Sequence, residues 1–212
     1  MRRVLDPVLC ANYVLMTTTR RIALFDFDGT LVRHDSLLSF ARFALPRCRF
    51  WFGLLRSLPA ILLWKIGAVS ADKAKQRLFG AWFAGMPYSR LEDVGRRFAK
   101  VIDGDLNPIA MKLLHERKAE GCLTVIVTAG MPLWIAPWAD ANGFDCVIAT
   151  EPEMDSRGAL TGRFATHNCR GEEKVRRVRL VFPDFDECIT YAYADSRADS
   201  AMLQMATYSD KL

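Results

Sequence analysis

No CxxC pair occurs among the six cysteines of this 212-residue chain, which stand at positions 10, 48, 122, 146, 169 and 188. Their scatter excludes a zinc ribbon or a disulfide framework and reads as the reduced thiols of a cytoplasmic protein. A signal-peptide apolar core is missing too, because Arg2, Arg3, Asp6, Pro7 and Asn12 interrupt the first fifteen residues. Residues 1–19 are read as an extension outside the fold. No internal repeat, low-complexity tract or basic run interleaved with aromatics is present, so there is no nucleic-acid-binding signature. Acid is scarce in one place. Between Arg33 and Lys100, thirteen Lys/Arg stand against four Asp/Glu, a local +9 in a chain of net charge +5, and the remainder carries −4. A basic segment opposite an acidic one suits an anionic substrate held near a metal.

What is present is an apolar content of 51%, enough for a globular core. Four short apolar runs, Ile22–Phe25, Leu123–Val127, Cys146–Ala149 and Ile189–Ala194, read as buried parallel strands with helical patterns between the later ones. This predicts an α/β fold with a Rossmann-like parallel sheet over residues 20–32 and 105–212. Sites in such sheets lie beyond the carboxyl ends of the strands. Three of the four runs end there in polar residues: Asp26 and Asp28, Thr128, and Asp195.

Nearly a hundred residues separate the first two strands, more than one crossover helix needs. Helical pieces over Ser36–Leu45, Arg49–Ile66, Ala71–Phe83 and Ser89–Ile102 predict a helical cap at 33–104, with Ser70 and Ser89 as helix starts. Ala159–Phe164, preceded by the Asp155-Ser156-Arg157-Gly158 turn, has the rhythm of a small ribbon. The stretch Phe50–Val69 is rich in Trp, Phe and Leu, but Arg56, Pro59 and Lys65 make a spanning helix costly. It is read first as a cap helix packed on the core, with an interfacial, membrane-facing helix as the alternative.

The pentapeptide Asp26-Phe27-Asp28-Gly29-Thr30 places two carboxylates one residue apart where a buried strand gives way to a turn. Like charges that close repel unless a cation lies with them, and a hard dication such as Mg2+ is the economical choice. The strand ends then divide the labour of phosphoryl transfer. Asp26 is the candidate nucleophile and Asp28 the acid and base. Gly29 allows the turn, and Thr128 with the amides of Ala129 and Gly130 holds phosphate oxygens. Lys174 neutralises the nucleophile and the transferring group. Asp195 completes the metal site with Asp26 and Asp28, and Asp199 serves as a further ligand or orients one.

Asp26-Phe-Asp-Gly-Thr-Leu-Val, Ile126-Val-Thr128-Ala-Gly, Gly171-Glu-Glu-Lys174 and Ala194-Asp195-Ser-Arg-Ala-Asp199 resemble the four motifs of the haloacid dehalogenase-like hydrolase superfamily. The cap position is similar to that of its phosphoserine-phosphatase-type subfamily. The resemblance implies Mg2+, an aspartyl-phosphate intermediate, phosphomonoester hydrolysis, and a backbone carbonyl from Asp28 on the metal. Thr128 stands where that family often has Ser, and Ala198 where it has Asn before the last Asp. Asp35 falls where phosphoserine phosphatases have a Glu at the start of the cap, and Arg77 loosely where they have a cap Arg, so both are candidate substrate contacts. Related chains also continue past the last motif into another strand, and an incomplete sheet edge is expected here. The expected substrate is a small soluble phosphomonoester. The alternatives are a lipid phosphate such as phosphatidylglycerophosphate met at a membrane surface through the cap, phosphotransfer to an alcohol, and non-catalytic phosphate binding. The oligomeric state is left open by the sequence.

Overall fold

A computed structural model describes residues 20–212, so the expected extension over 1–19 lies outside the described residues. Strands β1 (Arg21–Phe25), β2 (Leu123–Val127), β3 (Cys146–Ile148), β6 (Ile189–Ala194) and β7 (Tyr208–Lys211) form one parallel sheet in the order β3-β2-β1-β6-β7. The central strand β1 is buried on both faces, which its uninterrupted Ile22-Ala23-Leu24-Phe25 run requires. Alternate residues feed two cores. Ala23 and Phe25 pack with Phe144 and Tyr193 on one face, and Ile22 and Leu24 with Val125, Val178 and Phe182 on the other. Register fixes where the chemistry goes: Phe25 lies beside both Ile126 and Tyr193, so β1, β2 and β6 end together at one edge.

Four inserted helices follow β1: α1 (Ser36–Ala44), α2 (Arg47–Lys65), α3 (Ala71–Phe83) and α4 (Tyr88–Ile102). Asp35 and Ser70 cap α1 and α3, accepting from Leu38 N at 2.9 Å and Lys73 N at 3.3 Å. Ser89 is not a cap. α4 begins one residue earlier, behind Pro87 and without a side-chain cap, because the ring already fixes the backbone angle. Helices α5 (Pro108–Ala119), α6 (Pro132–Ala141), α7 (Glu172–Val181) and α8 (Ser200–Met205) complete the core layers.

The expected ribbon is β4 (Pro152–Met154) paired antiparallel with β5 (Leu160–Phe164). It also ties the core to the inserted helices: Leu160 O accepts from Gly85 N at 2.8 Å, and Leu160 N donates to Met86 O at 2.9 Å. The expected gap at the sheet edge is not found, because Tyr208–Lys211 pairs parallel with β6. All four residues of β7 are exposed and two are charged, a usual way of blunting an edge.

The inserted helices meet the core closely through α4 and α6, where Gly95 faces the backbone of Leu133. A β-carbon on Gly95 would lie 1.8 Å from Leu133 O, and backbone cannot give way as a flexible side chain can. Gly95→Ala is therefore expected to cost about 2 kcal/mol in denaturant unfolding, whereas a value near zero would show that α4 and α6 separate freely.

Candidate active site

The site is assembled at the carboxyl ends of β1, β2 and β6. Asp26 follows β1 directly, its amide held by Tyr193 O at 2.9 Å, and its side chain is almost fully buried. Asp195 follows β6, and Asp199 lies one turn later. Oxygens of Asp26, Asp195 and Asp199 all fall within 4.8 Å of one another. Gly29 makes this approach possible: its φ is +82°, and a β-carbon there would lie 2.3 Å from Asp195 Oδ2.

Lys174, in the first turn of α7, brings its Nζ within 2.6 Å of both Asp26 Oδ1 and Asp199 Oδ1. It is only 1% exposed. A cation at a helix N-terminus sits against the helix dipole, so the two carboxylates must hold it there. Burial lowers the Lys174 pKa, but Asp26 and Asp199 outweigh burial and raise it, keeping the ammonium charged. Burial is the largest influence on Asp26 and raises its pKa, with Lys174 opposing and Asp199 adding. Three converging carboxylates that one ammonium leaves partly unbalanced form a donor set that fits a hard dication. The Ser196 hydroxyl donates to Asp199, and Arg177 braces the approach to Lys174 through Ala149 O at 2.5 Å and His167 O at 2.7 Å.

Asp28 goes elsewhere. Its carboxylate accepts from Ser36 N at 2.8 Å, at the start of α1, and is not in the three-carboxylate cluster. The structure therefore does not bring the Asp28 side chain, expected as a metal ligand, to the other three carboxylates. Burial, with Asp35 adding to it, pushes the Asp28 carboxyl up to about 7 against the pull of Lys75.

Thr128 is buried, with its Oγ1 accepting from Gly130 N at 2.9 Å, so the Thr128-Ala129-Gly130 turn is folded in advance. Thr30, in the turn after β1, has a buried hydroxyl with no hydrogen-bond partner. Asp35 is engaged as the cap of α1. Arg77 is exposed and lines a different cavity of about 610 Å³, with Arg56 and Arg163. The cation that α3 does bring to the site is Lys75, which sequence reasoning missed. Its Nζ donates to Ala129 O at 2.7 Å, and burial lowers its pKa against the pull of Asp28, Asp35 and Asp26. The signal was available, since Lys75 precedes the buried Phe79 and Trp82 by four and seven residues and so shares their face. A cavity of about 400 Å³ opens between the start of α3 (Ala71, Asp72) and Arg170, Gly171 and Ala198. Asp72 closes one wall of it, accepting from Asn168 Nδ2 at 2.6 Å.

The position of the Asp28 proton can be tested. An unfolded Asp titrates near 3.8 and the native one near 7, so the native chain keeps a proton that the unfolded chain releases. Its contribution to stability is complete below about pH 4 and is lost as the pH rises toward about 7. Asp28→Asn is expected to flatten that part of the Tm against pH profile of chelator-treated protein, and an unchanged slope would place the titration at another group.

A profile of the haloacid dehalogenase-like hydrolase family matches residues 23–204. The chain is 36% identical over 192 residues to protein CicA of Caulobacter vibrioides, covering 87% of this chain and 82% of that one. A crystallised protein of unknown function from Bordetella pertussis Tohama I shares 29% identity with a TM-score of 0.77, over 91% of this chain and 89% of its own. A substrate-bound phosphoserine phosphatase shares the fold, with a TM-score of 0.62 at 19% identity over 91% of this chain and 86% of its own. The parallel sheet, the helices inserted after its first strand and the match across residues 23–204 agree: the chain belongs to the haloacid dehalogenase-like hydrolase family and has the fold of its phosphoserine-phosphatase-type members.

Proposed function

We propose that this protein is a Mg2+-dependent phosphatase that hydrolyses a phosphomonoester through an aspartyl-phosphate on Asp26. The observation that carries this reading is the separation of two aspartates only two residues apart. Asp26 lies among Lys174, Asp195 and Asp199, whereas Asp28 is held apart by Ser36 with its carboxyl raised to about 7. One environment suits a nucleophile and the other a group that exchanges protons near neutral pH.

Asp26, Asp195, Asp199 and the backbone carbonyl of Asp28 would hold the ion. When bound, Mg2+ supplies positive charge that favours the ionised Asp26 and offsets charge on the phosphate. In the first step an Asp26 carboxylate oxygen forms a bond to phosphorus and the bond to the leaving oxygen breaks, while Asp28 gives that oxygen its proton. In the second step Asp28 takes a proton from water, the water oxygen attacks phosphorus, and the Asp26–phosphate bond breaks to release inorganic phosphate. Lys174 stays charged throughout and balances Asp26 when it is free and the phosphoryl oxygens when they arrive. Thr128 and the amides of its turn hold those oxygens, and Gly29 keeps Asp195 close.

Lys75 comes from α3, one of the helices that follow β1, and reaches Ala129 O in the Thr128-Ala129-Gly130 turn. It supports selection of a leaving group that carries negative charge or several acceptor oxygens. Arg77, directed into another cavity, and Asp35, engaged as a cap, are weaker candidates for that role. A small soluble phosphomonoester is the leading substrate class. A lipid phosphate is the second reading, favoured by the exposed apolar outer face of α2.

Phosphate release from a panel of phosphoserine, histidinol phosphate, sugar phosphates, nucleotides and phosphatidylglycerophosphate tests the reading, with Asp26→Asn as the blank. Release that needs Mg2+ and vanishes in Asp26→Asn is expected, with Lys75→Met raising KM about tenfold on the best substrate while kcat holds. Release unaffected by Asp26→Asn, or none above that blank from the folded protein, would contradict it.

A further inference from the structure

The surface of this protein carries an apolar face that the reaction does not use. Helix α2 turns Phe50, Gly53, Ser57 and Ala60 inward, and that side is closed. Gly53 lies against the Trp82 indole, whose Nε1 donates to Phe50 O at 3.0 Å, and Arg49 Nε donates to Trp82 O at 3.1 Å. The helix therefore cannot roll to hide its other side. That side presents Trp51, Leu55, Leu58 and Leu62 at helical spacing, flanked by Phe52 and Ile66, with exposures from 40% at Leu58 to 76% at Ile66. A contiguous row of this size on a single helix is uncommon on a surface that meets only water.

Charge identifies what covers it. No Asp or Glu occurs between Asp35 and Asp72, while Arg42, Arg47, Arg49, Arg56 and Lys65 fall within that interval. A second copy docking through the same helix about a two-fold axis would set this +5 segment against itself. An anionic surface meets it with complementary charge. Among the described residues no helix is long and apolar enough to cross a membrane. Pro59, on the outward side, has no N–H to give the Leu55 carbonyl, a backbone group that tolerates a hydrated interface but not hydrocarbon. Trp51 and Trp64 stand near the two ends of the helix, the amphipathic ring type that seats at the headgroup level.

We propose that the outer face of α2 is a docking surface for an anionic lipid bilayer, on which the helix lies in the interface plane, drawn there by the net positive charge of its segment. The surface is argued independently of the reaction at Asp26. It goes beyond the phosphatase reading by placing the enzyme on a membrane, whichever phosphate it cleaves.

The test is co-sedimentation of the full chain with vesicles of phosphatidylcholine alone and of phosphatidylcholine mixed with phosphatidylglycerol, at low and high salt. The comparison protein is Trp51→Ser/Leu55→Ser, two exposed positions whose change is expected to leave Tm unmoved. Binding to the anionic vesicles that weakens in salt and falls about tenfold or more in the double variant is expected. Equal binding by the variant, or no binding of the folded wild-type chain to anionic vesicles, overturns the proposal. So does a dimer in analytical ultracentrifugation that the double variant dissolves without vesicle binding by either protein, since it gives the face to a second copy. The readout needs no turnover, so a failure here and a failure of the phosphatase reading are told apart.

Discussion

One ammonium between two buried carboxylates is the contact on which the rest of the site depends. Lys174 reaches Asp26 and Asp199 at the same 2.6 Å, and Asp195 lies close enough that three negative groups share a small, poorly hydrated space. Without a positive partner that arrangement would open or take up protons. The geometry around it follows. The parallel register of β1, β2 and β6 brings the strand ends to one edge, Gly29 lets Asp195 approach, and Arg177 ties the loop before Lys174 to the end of β3 through His167 O and Ala149 O. Each is a positional constraint on the same charges.

The inserted helices solve a different problem, which is how to put chemistry opposite a sheet edge. Trp134 of α6 donates to Ser36 Oγ at 2.9 Å and stacks on Phe40 with ring centroids 4.5 Å apart, anchoring α1 over the core. The same Ser36 presents its amide to Asp28. Seating α1 and setting the environment of the second aspartate are thus one event. Helix α3 is held in turn by the ribbon and by the Asn168–Asp72 hydrogen bond, and it delivers Lys75 to the Thr128-Ala129-Gly130 turn. In the proposed reaction, substrate preference would rest on the inserted segment and bond-breaking chemistry on the residues at the sheet edge.

Much of this was legible from the chain. The four apolar runs became strands within a residue of their expected ends, because a parallel strand buried on both faces leaves an uninterrupted signal. The polar residues that follow three of those strands lie at the site for the same reason. Other features were not legible, each for a local cause. Tyr208-Ser209-Asp210-Lys211 has no apolar run because an exposed edge strand needs none. Asp26 and Asp28 look alike in sequence, and only the turn at Gly29 and the amide of Ser36 send them apart. Arg77 and Lys75 are two cations on one helix. Two residues is a little over half a turn, so choosing between them required the phase set by Phe79 and Trp82.

The proposed reaction passes through a covalent phosphoryl group on Asp26, and the most direct measurement is to trap it. With a substrate carrying labelled phosphate, acid quenching during the first turnover is predicted to leave label on the protein, on the peptide that contains Asp26. That label is removed by hydroxylamine and is absent from Asp26→Asn. A single turnover that releases phosphate with no protein-bound label at any time, or with label on another residue, would contradict the assignment of Asp26 as nucleophile.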